Sequence, residues 1–206
     1  MSIIVTITGP SLSGKSTLEA MLVKEGMAKA VSTTTRQRRD GEIDGVQYNF
    51  VTLDEFAKIE KSGNMVESVS FDGNKYGVTS TEVKNKFLDD SVVVIVVEPN
   101  GARQIKEYAQ GKGWDCLQVL VTNPDEVLKK RFDARLEGDV LAKKEVYENR
   151  WNAMKTVEKE WCKQMSGADL KFGRFDETNE SDVMNKIIEE VNVLKNKNSV
   201  KKVRKP

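Results

Sequence analysis

The sequence predicts an α/β fold, a three-layer arrangement around a parallel core sheet, and three observations predict it. Residues 3–8, IIVTIT, are rich in β-branched side chains and end at Gly9-Pro10, the pattern of a buried strand running into a loop. After Gly14 the apolar residues Leu18, Met21 and Leu22 recur on one helical face. Residues 92–97, VVVIVV, form the longest apolar run, of strand length and apolar on both faces, as in the central strands of parallel sheets. Strand, glycine loop and helix in that order open a parallel α/β sheet.

The remaining elements follow along the chain. Residues 32–50 are polar, with turn signals at Gly41 and Gly45, and read as short strands and loops. Thr52 and Glu55 have the spacing of a capping box, opening a short helix with Phe56 and Ile59 inward. Gly63, Gly73 and Gly77 punctuate another stretch of short strands and loops. Thr79, with Glu82 after it, caps a helix reaching Leu88. Residues 101–108 read as a helix and residues 117–121 as a second central strand. Asn123-Pro124-Asp125-Glu126 starts a helix, with proline at the first helical position. Residues 142–165 read as one long helix with Val146, Met154, Val157 and Trp161 on its apolar stripe. A last helix uses Val183, Ile187, Val191 and Leu194. Residues 195–206 are rich in Lys and Asn and read as a frayed, flexible basic tail, with a nucleic-acid or partner contact as the sharper alternative.

Composition excludes several kinds of chemistry. Among 206 residues, 33 Lys and Arg nearly balance 32 Asp and Glu, so no net field favours DNA or a membrane. Two distant cysteines, Cys116 and Cys162, make neither a disulfide framework nor a metal cluster and point to a reduced, cytoplasmic protein. The chain has no histidine, which removes Ser-His and Cys-His nucleophiles and histidine-bound metals. Its N-terminus lacks a basic leader, and its apolar runs are too short to span a membrane.

One motif carries chemistry by itself. Residues 9–16, GPSLSGKS, fit G-x-x-x-x-G-K-[ST] between a predicted strand and a predicted helix, the context this motif requires. The glycines let backbone N–H groups turn inward around an anion, and the helix N-terminus adds partial positive charge. Gly9, Ser11, Ser13, Gly14, Lys15, Ser16 and Thr17 are therefore candidate ATP-binding residues. Lys15 is placed to reach the β- and γ-phosphates, and the Ser16 hydroxyl to ligate Mg²⁺.

A second group concerns the acceptor. Arg36, Arg38 and Arg39 crowd four positions, which alone suits an exposed basic loop as well as a phosphate receptor. Tyr48 and Tyr76 each stand near glycine. Taken in order, GPSLSGKSTL, VSTTTRQRRDGEIDGVQYNFV, VES, GNKYG and NGARQIK resemble the guanylate kinase family over about residues 3–150. The resemblance implies one domain over residues 1–194, with a core (1–31, 79–135 and 150–194), an inserted acceptor-binding region (32–78) and a helical lid (136–149). It implies that Arg36, Arg39, Tyr48 and Tyr76 grip the acceptor monophosphate. Glu67 would accept from guanine N1–H and N2–H₂, and Ser32 would donate to O6, with Val78 and Glu98 at the remaining acceptor positions. Arg131 and Arg135, one helical turn apart, resemble the lid arginines and, with Arg39, Arg150 and Lys15, would balance the charge of the transferring phosphoryl group.

The implied reaction is ATP with GMP or dGMP, assisted by Mg²⁺, in a monomer or homodimer. A protein-binding module of this family remains an alternative, against which the intact Gly14-Lys15-Ser16 argues. Departures from the family pattern lie in a longer segment between Arg135 and Arg150, in Val96 and Glu98 where Asp-x-Asp is usual, and in residues 171–176. Val78 also replaces a hydroxyl that would meet guanine O6. This predicts relaxed base selectivity unless Thr79 or Ser80 supplies the donor.

Overall fold

The structure is a computed structural model, and it describes residues 2–71, 73–137, 148–149, 151–152, 155–156 and 159–203. Its principal sheet has five parallel strands in the order β2 (Ala28–Lys29), β7 (Val92–Val96), β1 (Ile3–Thr8), β8 (Asp115–Val121) and β9 (Leu170–Phe172). β1 lies at the centre, pairing Val5 with Val94 on one side and Leu117 on the other. That position explains its composition, because a central parallel strand is covered on both faces. Ile3, Val5 and Ile7 point into a core shared with α1 (Lys15–Lys24) and α7 (Glu180–Val203), through Leu18, Leu22, Val183, Ile187 and Val191. Ile4, Val93 and Ile95 point the other way, into a core with α3 (Ser80–Asp89) and α4 (Pro99–Gly111), through Val83, Ile105 and Ala109. Helix, sheet and helix make the three layers.

Residues 33–79 build a second, mixed sheet in the order β4 (Asn49–Phe50), β3 (Thr33–Thr34), β6 (Asn74–Thr79) and β5 (Met65–Phe71). β5 and β6 form an antiparallel hairpin, with a register irregularity between Met65 and Glu67. Between β4 and β5 lies α2 (Leu53–Lys61), whose capping box is complete: Thr52 accepts from the Glu55 N–H while the Glu55 side chain accepts from that of Thr52. Phe56 is fully buried, and Ile59 half-buried. α5 (Asp125–Glu137) follows β8, burying Leu128 and Phe132.

Several expectations change. β2 and β9, of two and three residues, are too short to show an alternating pattern. α4 begins at Pro99, ahead of the expected residue 101, because proline suits a first helical turn. The last helix does not fray at Leu194 but runs to Val203, in a segment of Lys, Asn, Ser and Val with no Gly or Pro to stop it. The long helix expected over residues 142–165 falls in part outside the described residues, Val146, Met154 and Val157 included. Its described parts are helical at 148–149 and 151–152, carry a π-type turn at 155–156, and end in α6 (Lys159–Gln164). The lid is described only at residues 136–137 and 148–149. Cys116 and Cys162 are not joined in a disulfide, and no described helix is long and apolar enough to cross a membrane.

Candidate active site: a phosphate cradle and a carboxylate pocket

The cradle forms where β1 hands over to α1. Gly14 stands before the first turn of α1 at φ 95°, a conformation that suits glycine. A Cβ there would lie 2.5 Å from Cδ1 of Phe175 and 3.3 Å from Nη1 of Arg131. Leu12, at φ 64°, is a non-glycine residue in the left-handed region, a strain of about 1 kcal/mol or more that its surroundings must hold. Arg131 supplies part of that hold. Its Nη1 donates to the Leu12 carbonyl at 2.9 Å, and its Nη2 to the Phe175 carbonyl at 2.8 Å. Lys15 folds back over the loop, with Nζ donating to the carbonyls of Gly9 (2.9 Å) and Pro10 (2.8 Å). Ser16 and Thr17 are exposed in the first turn of α1, and Ser11 is half-buried. Ser13 is fully buried, and its carbonyl accepts from Asn123.

Asn123 is the functional residue that sequence reasoning missed at this site. Its Nδ2 donates to the Ser13 carbonyl at 2.9 Å, and its Oδ1 accepts from the Phe175 N–H at 2.8 Å. One buried amide thus ties the cradle to the loop after β9. The expected helix start is present, but the side chain that announced it braces the cradle. The loop that departs from the family pattern is itself well bonded: Asp176 accepts from the Thr178 N–H and hydroxyl and from Arg174 Nε. The Thr178 hydrogen bonds, then Arg174, hold the Asp176 carboxyl below its ordinary range.

The acceptor-side groups converge on the second sheet. Arg36 lies over the rings of Tyr48 and Phe50, with its carbon Cζ 5.4 and 5.6 Å from their centroids. Tyr48 and Tyr76 meet edge to face at 6.0 Å. Three of the four expected phosphate ligands therefore stand together. Arg36 also pairs with Glu42 at 2.8 Å and donates to the Gln37 carbonyl. Glu42 was not singled out in the sequence; it accepts from the Arg39 N–H as well, and the Arg36 bond chiefly lowers its pKa. Burial raises the Tyr48 phenol pKa, keeping the hydroxyl a donor. Arg39 is exposed.

Glu67 is the unusual group. It is 3% exposed, and its Oε2 has no hydrogen-bond partner among the described residues. Burial first, then the charge of Glu98, push its pKa up to about 8, against a smaller opposing effect from the Val78 N–H. Gly101 faces it: a Cβ on Gly101 would lie 3.0 Å from Glu67 Oε2. Sequence reading included Gly101 in a motif but gave it no task. Val78 stands opposite Glu67 in the β5–β6 register. Its side chain is fully buried in the apolar cluster of Ile4, Val83 and Ile95, so it is a core residue, and what it gives Glu67 is its backbone. Thr79 accepts from the Glu82 N–H, and the Ser80 hydroxyl donates to Asn64, so Ser80 is engaged away from the base position. Ser32 is half-buried, its carbonyl accepting from the Asn49 N–H. Glu98 precedes the first turn of α4.

Arg131 does not stand open over the cradle but is tied to the backbone carbonyls of Leu12 and Phe175. The side chain of Arg135 and the whole of Arg150 lie outside the described residues.

Comparison with known proteins gives a consistent result. The family model described as Guanylate kinase matches residues 1–194. A guanylate kinase of Lactococcus lactis is 36% identical over 136 residues, covering 65% of this chain and 64% of the relative. A guanylate kinase of Brucella melitensis is 29% identical over 165 residues, covering 78% and 72%. The match thus spans a little under two thirds of the Lactococcus relative's length. A crystal structure of guanylate kinase from Anaplasma phagocytophilum aligns with a TM-score of 0.66 at 22% identity, over 93% of this chain and 85% of that one, a likeness of fold.

Proposed function

The chain belongs to the guanylate kinase family, and from that membership we propose that it transfers the γ-phosphoryl group of ATP to GMP or dGMP. The observation that carries the acceptor assignment is the buried Glu67 carboxyl on the same sheet as the Arg36–Tyr48–Tyr76 cluster. A carboxylate matches the two adjacent N–H donors of guanine, and a guanidinium with two phenols matches a phosphate dianion.

On the donor side, the N–H groups of residues 9–16 and the N-terminus of α1 receive the β- and γ-phosphates. Lys15 exchanges the Gly9 and Pro10 carbonyls for phosphate oxygens. The Ser16 hydroxyl is exposed at the first turn of α1, an oxygen donor of the kind Mg²⁺ takes, and it would hold the ion there. When bound, Mg²⁺ neutralises charge on the β- and γ-oxygens. On the acceptor side, Arg36, Arg39, Tyr48 and Tyr76 hold the monophosphate, and Ser32, Glu67 and Glu98 face the base. Arg131, Arg135 and Arg150 supply further positive charge. Phosphoryl transfer through a loose transition state asks for positioning and charge neutralisation rather than a strong base, so a chain without histidine suffices.

A coupled ADP-release assay over all ribo- and deoxynucleoside monophosphates tests this. Turnover is expected with GMP or dGMP well above every other acceptor, and turnover led by another base rejects the proposal.

A further inference from the structure

Resting on the assignment of the acceptor base to the Glu67 pocket, we infer that the Glu67–Glu98 carboxyl pair holds a proton in the unliganded enzyme and releases it when guanine binds. Base recognition is then coupled to proton release, and Glu98 sets its pH range.

The geometry leaves Glu67 poorly solvated. Its carboxyl is buried on β5, its Oε2 meets no donor among the described residues, and Gly101 of α4 approaches closely enough to leave no space for a side chain between them. Among the described residues, the cations of α4 and β6 are engaged elsewhere. On α4, Arg103 turns to Asn100 and Glu107, Lys106 donates to Gln118, and the Gln104 amide is used by the Ser68 backbone. On β6, Lys75 pairs with Glu60, and the Tyr76 ring meets Tyr48. The nearby charge that acts on Glu67 is the like charge of Glu98. An isolated buried carboxylate beside a second acid takes up a proton, and the pair then titrates as a unit.

Guanine reverses this balance. The acid form presents an O–H donor, which opposes a base edge made of N1–H and N2–H₂ donors. Binding therefore breaks the Glu67 O–H bond. The proton goes to solvent, and both carboxylate oxygens accept from the base. A base edge with one acceptor and one donor has no such requirement and leaves the proton in place.

Carboxyl ¹³C resonances of the glutamate-labelled, full-length enzyme test this, with the Glu67 signal identified by its loss in Glu67→Gln. In the free enzyme that signal is expected to titrate at a pH of about 8. With saturating GMP it is expected at the ionised position already at about pH 7, with GMP affinity rising about fivefold from pH 7 to pH 8. Glu98→Gln is expected to lower the free-enzyme midpoint, while burial keeps it above the ordinary glutamate range. A Glu67 signal that titrates in that ordinary range, or that stays protonated in the GMP complex, overturns the inference. GMP that moves no resonance at all overturns the assignment of the pocket itself, and the two failures are therefore distinct.

Discussion

At the phosphate cradle the cations rest on backbone oxygens, Lys15 on Gly9 and Pro10 and Arg131 on Leu12 and Phe175. At the Glu67 pocket a buried carboxyl has a second acid for company. The cradle holds its cations satisfied, and under the proposed function they exchange one set of oxygens for another when phosphate arrives. The pocket keeps its carboxyl short of donors among the described residues, and under the proposed function the ligand supplies them. An anion site built from backbone is rigid and indifferent to the rest of the nucleotide, whereas a lone buried carboxyl discriminates, because the wrong base edge leaves it unpaired.

The largest expected effect falls on the cradle. Lys15→Ala removes a cation that no other described side chain duplicates on the Gly9 and Pro10 carbonyls. It is expected to lower kcat by about a thousandfold, roughly 4 kcal/mol, while the circular dichroism spectrum and melting transition survive. Turnover within tenfold of the parent, in a folded variant, places the chemistry elsewhere. Asn123→Ala breaks the same site through its brace. Leaving the Ser13 carbonyl and the Phe175 N–H unpaired is expected to cost about 2–4 kcal/mol, read as a melting temperature lower by about 5–15 °C. A melting temperature within a degree of the parent would show that the brace carries nothing.

The pocket answers in pH. Glu67 has a folded-state pKa of about 8 against an ordinary value of 4.5, so the folded form keeps a proton that the unfolded chain has lost. Its contribution to stability is full below pH 4.5 and is lost as pH rises to about 8. Unliganded Glu67→Gln escapes this loss. Its melting temperature relative to the parent is expected to rise between pH 5 and pH 8.5, by the equivalent of about 4 kcal/mol. A constant difference across that range contradicts the raised pKa. Gly101→Ala crowds the same carboxyl and is expected to raise the acceptor KM about tenfold with the ATP KM unchanged, a cost of about 1.4 kcal/mol. Equal effects on both substrates would place Gly101 in general packing. Thr52→Ala, in neither site, removes one capping bond and is expected to cost about 1 kcal/mol of stability, with both KM values unchanged.

The same contrast decides what was legible in the sequence. The cradle is local: eight consecutive residues between a strand and a helix declare it, and β1 coincides with the expected segment. The central strands were legible for the same reason, since burial on both faces writes continuous apolar runs. The pocket is assembled from residues far apart in the chain, and resemblance rather than pattern pointed to it. A glutamate in a strand looks alike whether it faces water or Gly101. Asn123 announced a helix start, and nothing local says that its amide reaches back 110 residues to Ser13. Val78 was expected at the acceptor and lies in the core, because the alternation on β6 turns a valine toward Ile4 and Ile95. β2 and β9 owe their strand geometry to neighbours in the sheet, which no window of two or three residues can display.

The account stands on two separate sites joined by one transfer, and labelled transfer measures that most directly. With γ-labelled ATP and GMP, the parent chain is expected to place the label on GDP, and Glu67→Ala to lose most GMP transfer while its ATP KM stays within twofold to threefold of the parent, about 0.4–0.7 kcal/mol. Label released only as inorganic phosphate, or GMP transfer unaffected by Glu67→Ala, would contradict the account.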